Sequence, residues 1–278
     1  MAYKKILTIQ DISCVGQCSL TVALPIISAC GVETCVLPSA VLSTHTAGFR
    51  GYTFRDLTED MPDITKHWEK EKIAFDCVYT GYLGSKRQIA YVEDIYHATG
   101  KDDSLLIVDP AMADNGKLYP GFDGEFVESM KELCGSADYV IPNITEACFL
   151  TGVVYQEEYD ETYVQELIDR LKRLGCKNII FTGISFTAGK TGVMVCEGEN
   201  CAYYEHVKLP NSCHGTGDIY ASAFVGALMK GKTAYDAARI AADYTVECIR
   251  ATAEEENHWY GAKFEPVLGK LIAAVNGD

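Results

Sequence analysis

Between positions 213 and 218 the chain reads Cys-His-Gly-Thr-Gly-Asp, and a helical apolar run follows. Glycines at 215 and 217 let the backbone turn tightly and leave its N–H groups unobstructed. At a helix start, those N–H groups and the positive end of the helix dipole form an anion site. A phosphoryl group in transfer needs such a site, because charge builds on its oxygens. Asp218, in the first helical turn, is placed to take a proton from an attacking hydroxyl. The plain structural reading of the same residues is a glycine-rich turn with an aspartate at a helix start, where aspartate is favoured anyway. A second stretch, Gly183-Ile184-Ser185-Phe186-Thr187-Ala188-Gly189-Lys190-Thr191, imitates a Walker A loop. It has five residues between its glycines where four are required, and it leads into a strand-like run. A P-loop opens a helix, so this stretch reads as a connection between strands.

Polar residues also close successive strand-like runs. Gln10 and Asp11 end the first, and Thr80-Gly81-Tyr82, Asp109-Pro110, Pro142-Asn143 and Thr182-Gly183 end later ones. Ligands of open α/β sheets bind at these carboxyl ends. One polar group per strand end, repeated along the chain, is hard to obtain from packing alone.

The segment His214-Gly215-Thr216-Gly217-Asp218-Ile219-Tyr220-Ala221-Ser222-Ala223 resembles the signature of the ribokinase-like superfamily. Ile9-Gln10 with the Gly16 loop, Ser43-Thr44-His45-Thr46, Thr80-Gly81-Tyr82, Asp109-Pro110-Ala111-Met112, Pro142-Asn143-Ile144-Thr145-Glu146 and Thr182 follow in the order of the pyridoxal kinases of that superfamily. The resemblance implies ATP-dependent phosphorylation of the 5′-hydroxymethyl group of pyridoxal, pyridoxamine or pyridoxine. It implies Asp218 as base, with Gly215, Thr216 and Gly217 around the γ-phosphate. It further implies His45, Thr46 and Tyr82 in a pyridine pocket, and Asp109 and Glu146 on the Mg²⁺–ATP side. Asn143 and Asp114 fall on the phosphate side, Thr182 near the phosphates or a monovalent cation such as K⁺, and Leu209 near the adenine. Mg²⁺ prefers hard oxygen ligands and keeps several waters, so one or two carboxylates suffice. Taken singly, Asp109-Pro110 reads as a strand-ending turn, Glu146 as helix-start charge capped by Asn143, His45 and Thr46 as a surface loop, and Tyr82 as a packed aromatic. Taken jointly, they read as a site.

One departure stands out. After Ile9-Gln10 the pyridoxal kinases that this chain resembles usually carry serine, against the substrate ring. Here the residue is Asp11. Serine can donate to a neutral ring nitrogen, whereas a carboxylate only accepts and so favours a pyridinium. The other reading makes Asp11 a cap of the Ser13–Cys18 turn. Hydroxymethylpyrimidine kinases of thiamin synthesis are the nearest rival class. They commonly carry cysteine at the base position, and Cys213 lies before the loop. Sugar kinases of the superfamily carry an early Gly-Gly and Asn-rich pattern that is missing here. A catalytically silent vitamin-binding protein would have no need of an intact Gly215–Asp218 stretch.

The bulk composition agrees with small ligands. The chain has 278 residues, 48% of them hydrophobic, and a formal net charge of −15. Such a chain can bury a large core and is repelled by nucleic acid and anionic membranes. No apolar stretch is long enough to span a bilayer, and the amino terminus runs straight into a strand-like segment, so a cytoplasmic protein is expected. The twelve cysteines include no Cys-x-x-Cys pair and read as reduced core thiols. The resemblance implies a homodimer.

Strands and helices must alternate to position these residues. The periodicity predicts strands over 6–9, 34–37, 75–80, 105–108, 139–141 and 178–182. It predicts helices over 19–30, 86–98, 124–134, around 146, and over 160–174. A hairpin then pairs 191–196 with 201–206, before helices over 219–229, 234–251 and 266–275. This pattern predicts one domain over 1–278: a three-layer α/β sandwich with a mainly parallel sheet and antiparallel edge strands.

Overall fold

The computed structural model describes residues 3–210 and 213–277. Its strands and helices run β1 (Lys5–Ser13), α1 (Leu20–Ala29), β2 (Glu33–Leu42), β3 (Phe54–Asp56), α2 (Met61–Lys70), β4 (Phe75–Thr80), α3 (Lys86–Thr99) and β5 (Gly100–Val108). A small hairpin, β6 (Ala113–Asp114) and β7 (Lys117–Leu118), precedes α4 (Gly124–Ser136), β8 (Tyr139–Val140), α5 (Ile144–Thr151), α6 (Glu161–Leu174) and β9 (Asn178–Ile184). The chain ends with β10 (Lys190–Glu197), β11 (Asn200–Val207), α7 (Thr216–Met229), α8 (Ala234–Ala253), a 3₁₀ turn at Glu265–Val267 and α9 (Leu268–Asn276).

Nine strands form one sheet in the order β11-β10-β9-β8-β5-β4-β1-β2-β3. The inner strands β2, β1, β4, β5, β8 and β9 pair in parallel, while β3, β10 and β11 add antiparallel at the two edges. This is the expected fold class. The chain leaves β1 toward β2 on one side and returns to β4 on the other. The topological switch point therefore lies at the carboxyl ends of β1 and β4, where ligands of such sheets bind.

Side chains of the central strands alternate between two helical layers. Ile6, Tyr79 and Ile107 pack with α1, α7, α8 and α9. Leu7, Ile9, Val78, Leu106 and Val108 pack with α2 to α6. Every inner strand is covered on both faces, so it reads as a continuous apolar run.

The structure corrects the expected boundaries at several places. β1 does not end at Ile9. It continues to Ser13 through a register shift between Gln10 and Ile12, so Asp11 lies inside the strand at a bulge. Helix α2, strand β3 and the β6–β7 hairpin were not expected. The stretch that imitates a Walker A loop joins β9 to β10 and opens no helix, as expected. The thiol expectation is corrected at one pair: Cys196 and Cys201 face each other in the β10–β11 ladder and are disulfide-bonded. The hairpin register sets their Cα atoms 4.1 Å apart, within bonding reach. The other ten cysteines are free, six of them buried.

Candidate active site

The loop between β1 and α1 and the loop before α7 meet over the switch point. Gly215 ends the second loop with φ 78°, and a Cβ there would fall 1.9 Å from the Gln17 carbonyl oxygen. Only glycine allows this approach. Most long helices are capped by side chains: Ser85, Asp123, Asn143, Asp160 and Thr233 accept from N–H groups of their helices. No side chain caps α1 or α7. The first N–H groups of α7, on Thr216, Gly217 and Asp218, have no intrahelical acceptor. A Cβ added at Gly217 would meet nothing within 4 Å. An uncapped helix start with open space above it thus stands where the sequence places the anion cradle.

Asp218 sits in the first turn of α7, half-buried. Burial, and then the charge of Asp109, push its carboxyl up to about 7, while the Ser19 N–H opposes this. Asp109 follows β5, is buried, and accepts from the Ala111 N–H at 3.1 Å. Glu146 is buried on α5 and closes a capping box. Its Oε2 accepts from the Asn143 N–H at 2.9 Å, and its Oε1 accepts from the Met112 N–H at 3.1 Å. Burial drives both carboxyls well upward, and the Asp109 charge adds to the effect at Glu146. None of the ion pairs among the described residues includes Asp11, Asp109, Glu146 or Asp218. Buried carboxylates without a cation carry a desolvation cost that a metal ion would offset. No group of three metal-binding side chains is present among the described residues. Two carboxylates still fit Mg²⁺, whose remaining ligands are phosphate oxygens and water.

The other phosphate-side candidates are placed nearby, with different degrees of freedom. Both ends of the Asn143 side chain are engaged: Oδ1 accepts from the Glu146 N–H and Nδ2 donates to the Ala113 carbonyl at 3.0 Å. Asp114 is exposed on the β6–β7 hairpin, where its carboxylate accepts from the Asn115 backbone and side chain. Thr182 hydrogen-bonds the Pro142 carbonyl through its N–H at 2.9 Å and its hydroxyl at 3.3 Å. Leu209 is half-buried just after β11. Tyr119, which the sequence did not single out, is 37% exposed overall, while desolvation of its hydroxyl and then the charges of Glu146, Asp114, Asp109 and Asp218 raise its pKa.

On the ring side, Asp11 is buried, and its Oδ2 accepts from the Ser13 hydroxyl at 3.0 Å. Burial raises its pKa, while hydrogen bonds from Ser19 and Ser13 lower it. Tyr82 is half-buried beside Phe122, ring centroids 5.4 Å apart, and burial and then the Asp11 charge push its hydroxyl up to about 12. His45 is buried, but both ring nitrogens are committed: Nδ1 accepts from the Ala47 N–H at 3.1 Å, so Nε2 carries the proton and donates to the Tyr260 carbonyl at 2.7 Å. It can offer a ligand its ring, not a nitrogen. Gly16, with φ 108°, packs under that ring, and a Cβ there would fall 2.0 Å from His45 Cδ2. Thr46 is exposed at the mouth. The carboxyl-terminal segment also reaches this loop. Phe49 packs on Trp259 at 4.7 Å, and the Gln17 side chain bridges His258 and Glu265. No local motif announces those contacts, because the partners are more than 200 residues apart.

The parallel sheet, the switch-point crevice and the glycine-rich helix start define a kinase of the ribokinase-like class. The Phosphomethylpyrimidine kinase family profile matches residues 24–263, and the chain belongs to that family. A solved protein from Bacteroides thetaiotaomicron VPI-5482, described as a phosphomethylpyrimidine kinase and crystallised with pyridoxal, is 37% identical. It superposes with a TM-score of 0.91 over 97% of this chain and 96% of that one. Pyridoxal kinase from Lactobacillus plantarum is 29% identical, with a TM-score of 0.90 and 98% of each chain covered. A pyridoxal kinase of Dictyostelium discoideum is 28% identical over 239 residues, 80% of this chain and 77% of the relative.

Proposed function

We propose that this protein transfers the γ-phosphoryl group of ATP to the 5′-hydroxymethyl group of a B6 vitamer. The observation that carries this reading is the placement of Asp218 at an open, uncapped helix start, with Asp11 and Tyr82 on one side and the carboxylates Asp109 and Glu146 on the other. The relative crystallised with pyridoxal supports the choice of acceptor.

In this mechanism Asp218 accepts the hydroxyl proton as that oxygen bonds to the γ-phosphorus and the bond to ADP breaks. The N–H groups of Thr216, Gly217 and Asp218 hold the equatorial oxygens. Asp109, with Glu146 beside it, would hold Mg²⁺, which would supply positive charge against that of the ATP phosphates. Glu146 also accepts from the Met112 N–H, so it acts on the loop as well as on the metal side. Asn143 and Asp114 shape the phosphate-side wall, Thr182 lies toward the phosphates or a monovalent ion, and Leu209 toward the adenine. On the acceptor side, Asp11 and Tyr82 read the ring, the His45 ring forms a wall, and Thr46 stands at the entrance.

No helix among the described residues is long and apolar enough to cross a membrane. A cytoplasmic homodimer fits a metabolite kinase of this family. A pyrimidine acceptor is the second reading, favoured by the family to which the chain belongs. ATP turnover by the purified protein with pyridoxal, pyridoxamine, pyridoxine and hydroxymethylpyrimidine decides between them. Turnover of the pyrimidine with none of the B6 vitamers would overturn the primary reading.

A further inference from the structure

Between the end of α8 at Ala253 and the 3₁₀ turn at Glu265 the chain is irregular, yet it is held at many points. From behind, α8 fixes it: the Lys263 N–H donates to Thr252 Oγ1 at 2.7 Å, and the Tyr244 hydroxyl donates to the Phe264 carbonyl at 3.0 Å. Tyr244, Ala262 and Phe264 are buried. In front, the segment touches three loops that frame the site. On the acceptor side, the Tyr260 carbonyl accepts from His45 Nε2 at 2.7 Å, and Trp259 packs on Phe49. On the phosphate side, the Ala262 N–H donates to the His214 carbonyl at 3.0 Å, one residue before the first glycine of the cradle. His45 and His214 stand side by side, ring centroids 5.6 Å apart. Positions 260 and 262 of one segment thus fasten two neighbours that belong to different loops.

The third contact runs through Gln17 in the loop between β1 and α1. Its amide is engaged at both ends. Nε2 donates to the two Glu265 carboxylate oxygens at 3.0 and 2.8 Å, and Oε1 accepts from His258 Nε2 at 2.9 Å. Its backbone carbonyl lies against Gly215, and a Cβ added at Gly261 would fall 2.6 Å from its own Cβ. Gln17 is therefore wedged between the cradle and the carboxyl-terminal segment. Lys263, which lines the same cleft, is paired with Glu255.

Phosphoryl transfer needs the attacking oxygen in line with the phosphorus, and small misplacements are costly. The acceptor and the phosphates are held by different loops, so their relative placement depends on what joins those loops. Resting on the kinase reading above, we propose that residues 258–265 form a strap that aligns the acceptor loop with the phosphate cradle, and that Gln17 is the positioning residue that fastens it.

The test exchanges the partners of the fastening. Gln17→Glu sets a second carboxylate against that of Glu265 and opens the contact by repulsion. In the double variant Gln17→Glu/Glu265→Gln, donor and acceptor change places, and His258 still donates to position 17. Gln17→Glu should lower kcat about tenfold and leave each KM within about threefold of wild type, because the partners still bind and only their alignment is lost. The double variant should recover kcat to within about twofold. Glu265→Ala, at an exposed position, should lower kcat about fivefold, the worth of one net hydrogen bond. A second readout follows the strap itself. Trp259 is one of two tryptophans, so the Trp68→Phe background isolates its fluorescence. Acrylamide quenching of that fluorescence should rise in Gln17→Glu and return in the double variant. Wild-type kcat in both Gln17→Glu and Glu265→Ala would overturn the proposal. So would a loss that Glu265→Gln fails to rescue, or a loss with Trp259 quenching unchanged. If wild type turns over hydroxymethylpyrimidine and no B6 vitamer, the acceptor reading alone fails, and the same variants are read with that alcohol.

Discussion

Replacing Asp218 by asparagine should damage catalysis and strengthen the fold together. The side chain keeps its shape, so the cradle at Gly215–Gly217 should survive, but an amide cannot take the hydroxyl proton. The expected loss in kcat is roughly 10²- to 10⁴-fold, the usual worth of a positioned base, or about 3–5 kcal/mol of barrier. The wild-type pH profile supplies a second check. Burial, and then Asp109, raise the Asp218 pKa to about 7, so kcat/KM should fall with protonation below that pH. The stability sign follows from linkage. The group's ordinary pKa is 3.8 and its folded value is higher. From about pH 4 to about pH 7 the native state therefore holds a proton that the unfolded state lacks, and stability declines as pH rises through this window. Asparagine escapes that decline. The variant should match wild type below about pH 4 and exceed it at pH 8, by at most about 4 kcal/mol. Stopped-time ADP release and thermal melts at pH 4, 6 and 8 measure both arms. Near-normal turnover, or an unchanged melt at pH 8, would refute the reasoning.

Glu146→Gln should shift the Mg²⁺ and ATP dependence of turnover. A titration in which only pyridoxal affinity weakens would reverse the assignment of the two sides. Gly16→Ala should destabilise by more than about 1 kcal/mol, because the added Cβ collides with the His45 ring and the residue must hold positive φ; an unchanged urea midpoint would contradict this. Asp11→Ser should flatten the pH dependence of kcat/KM for pyridoxal, because a serine no longer selects the pyridinium form. Superimposable profiles for wild type and variant would make Asp11 a purely structural residue.

The fold was legible where long periodic segments carried it. Phe75–Thr80 was read to the residue, and α1, α3, α6 and α8 came within two residues of their ends. The missed elements had weaker signals of identifiable kinds. Helix α2 carries Met61, Ile64, Thr65 and Trp68 on one stripe with Pro62 in its first turn, a pattern half hidden by its many charges. The β6–β7 hairpin turns on Asn115-Gly116, both at positive φ, a strong two-residue turn signal flanked by strands too short to show alternation. The Cys196–Cys201 pairing was missed, although a turn centred on Gly198-Glu199 sets residues 196 and 201 opposite each other. Strand β1 was cut short because Gln10 and Asp11 interrupt its apolar run. The strand continues because β2 supplies the pairing partner and a bulge absorbs the extra residue.

Residue types located the site better than they described its working parts. Asp11, Asp109, Glu146 and Asp218 could be picked from strand ends and a helix start. What raises their pKa values is burial, opposed at Asp109, Glu146 and Asp218 by backbone N–H donors, and no side-chain motif encodes either. His45 shows the same limit from the other side. The resemblance placed it in the pyridine pocket, yet Ala47 and Tyr260 take both its nitrogens, and Tyr260 lies 215 residues away in the chain. A histidine so engaged holds the 43–49 loop against the carboxyl-terminal segment. On the proposed reading, the loop that walls the acceptor therefore depends on a contact between distant parts of the chain. Gly16→Ala, whose added Cβ would displace the His45 ring, should then raise KM for the acceptor, and an unchanged KM would refute this step.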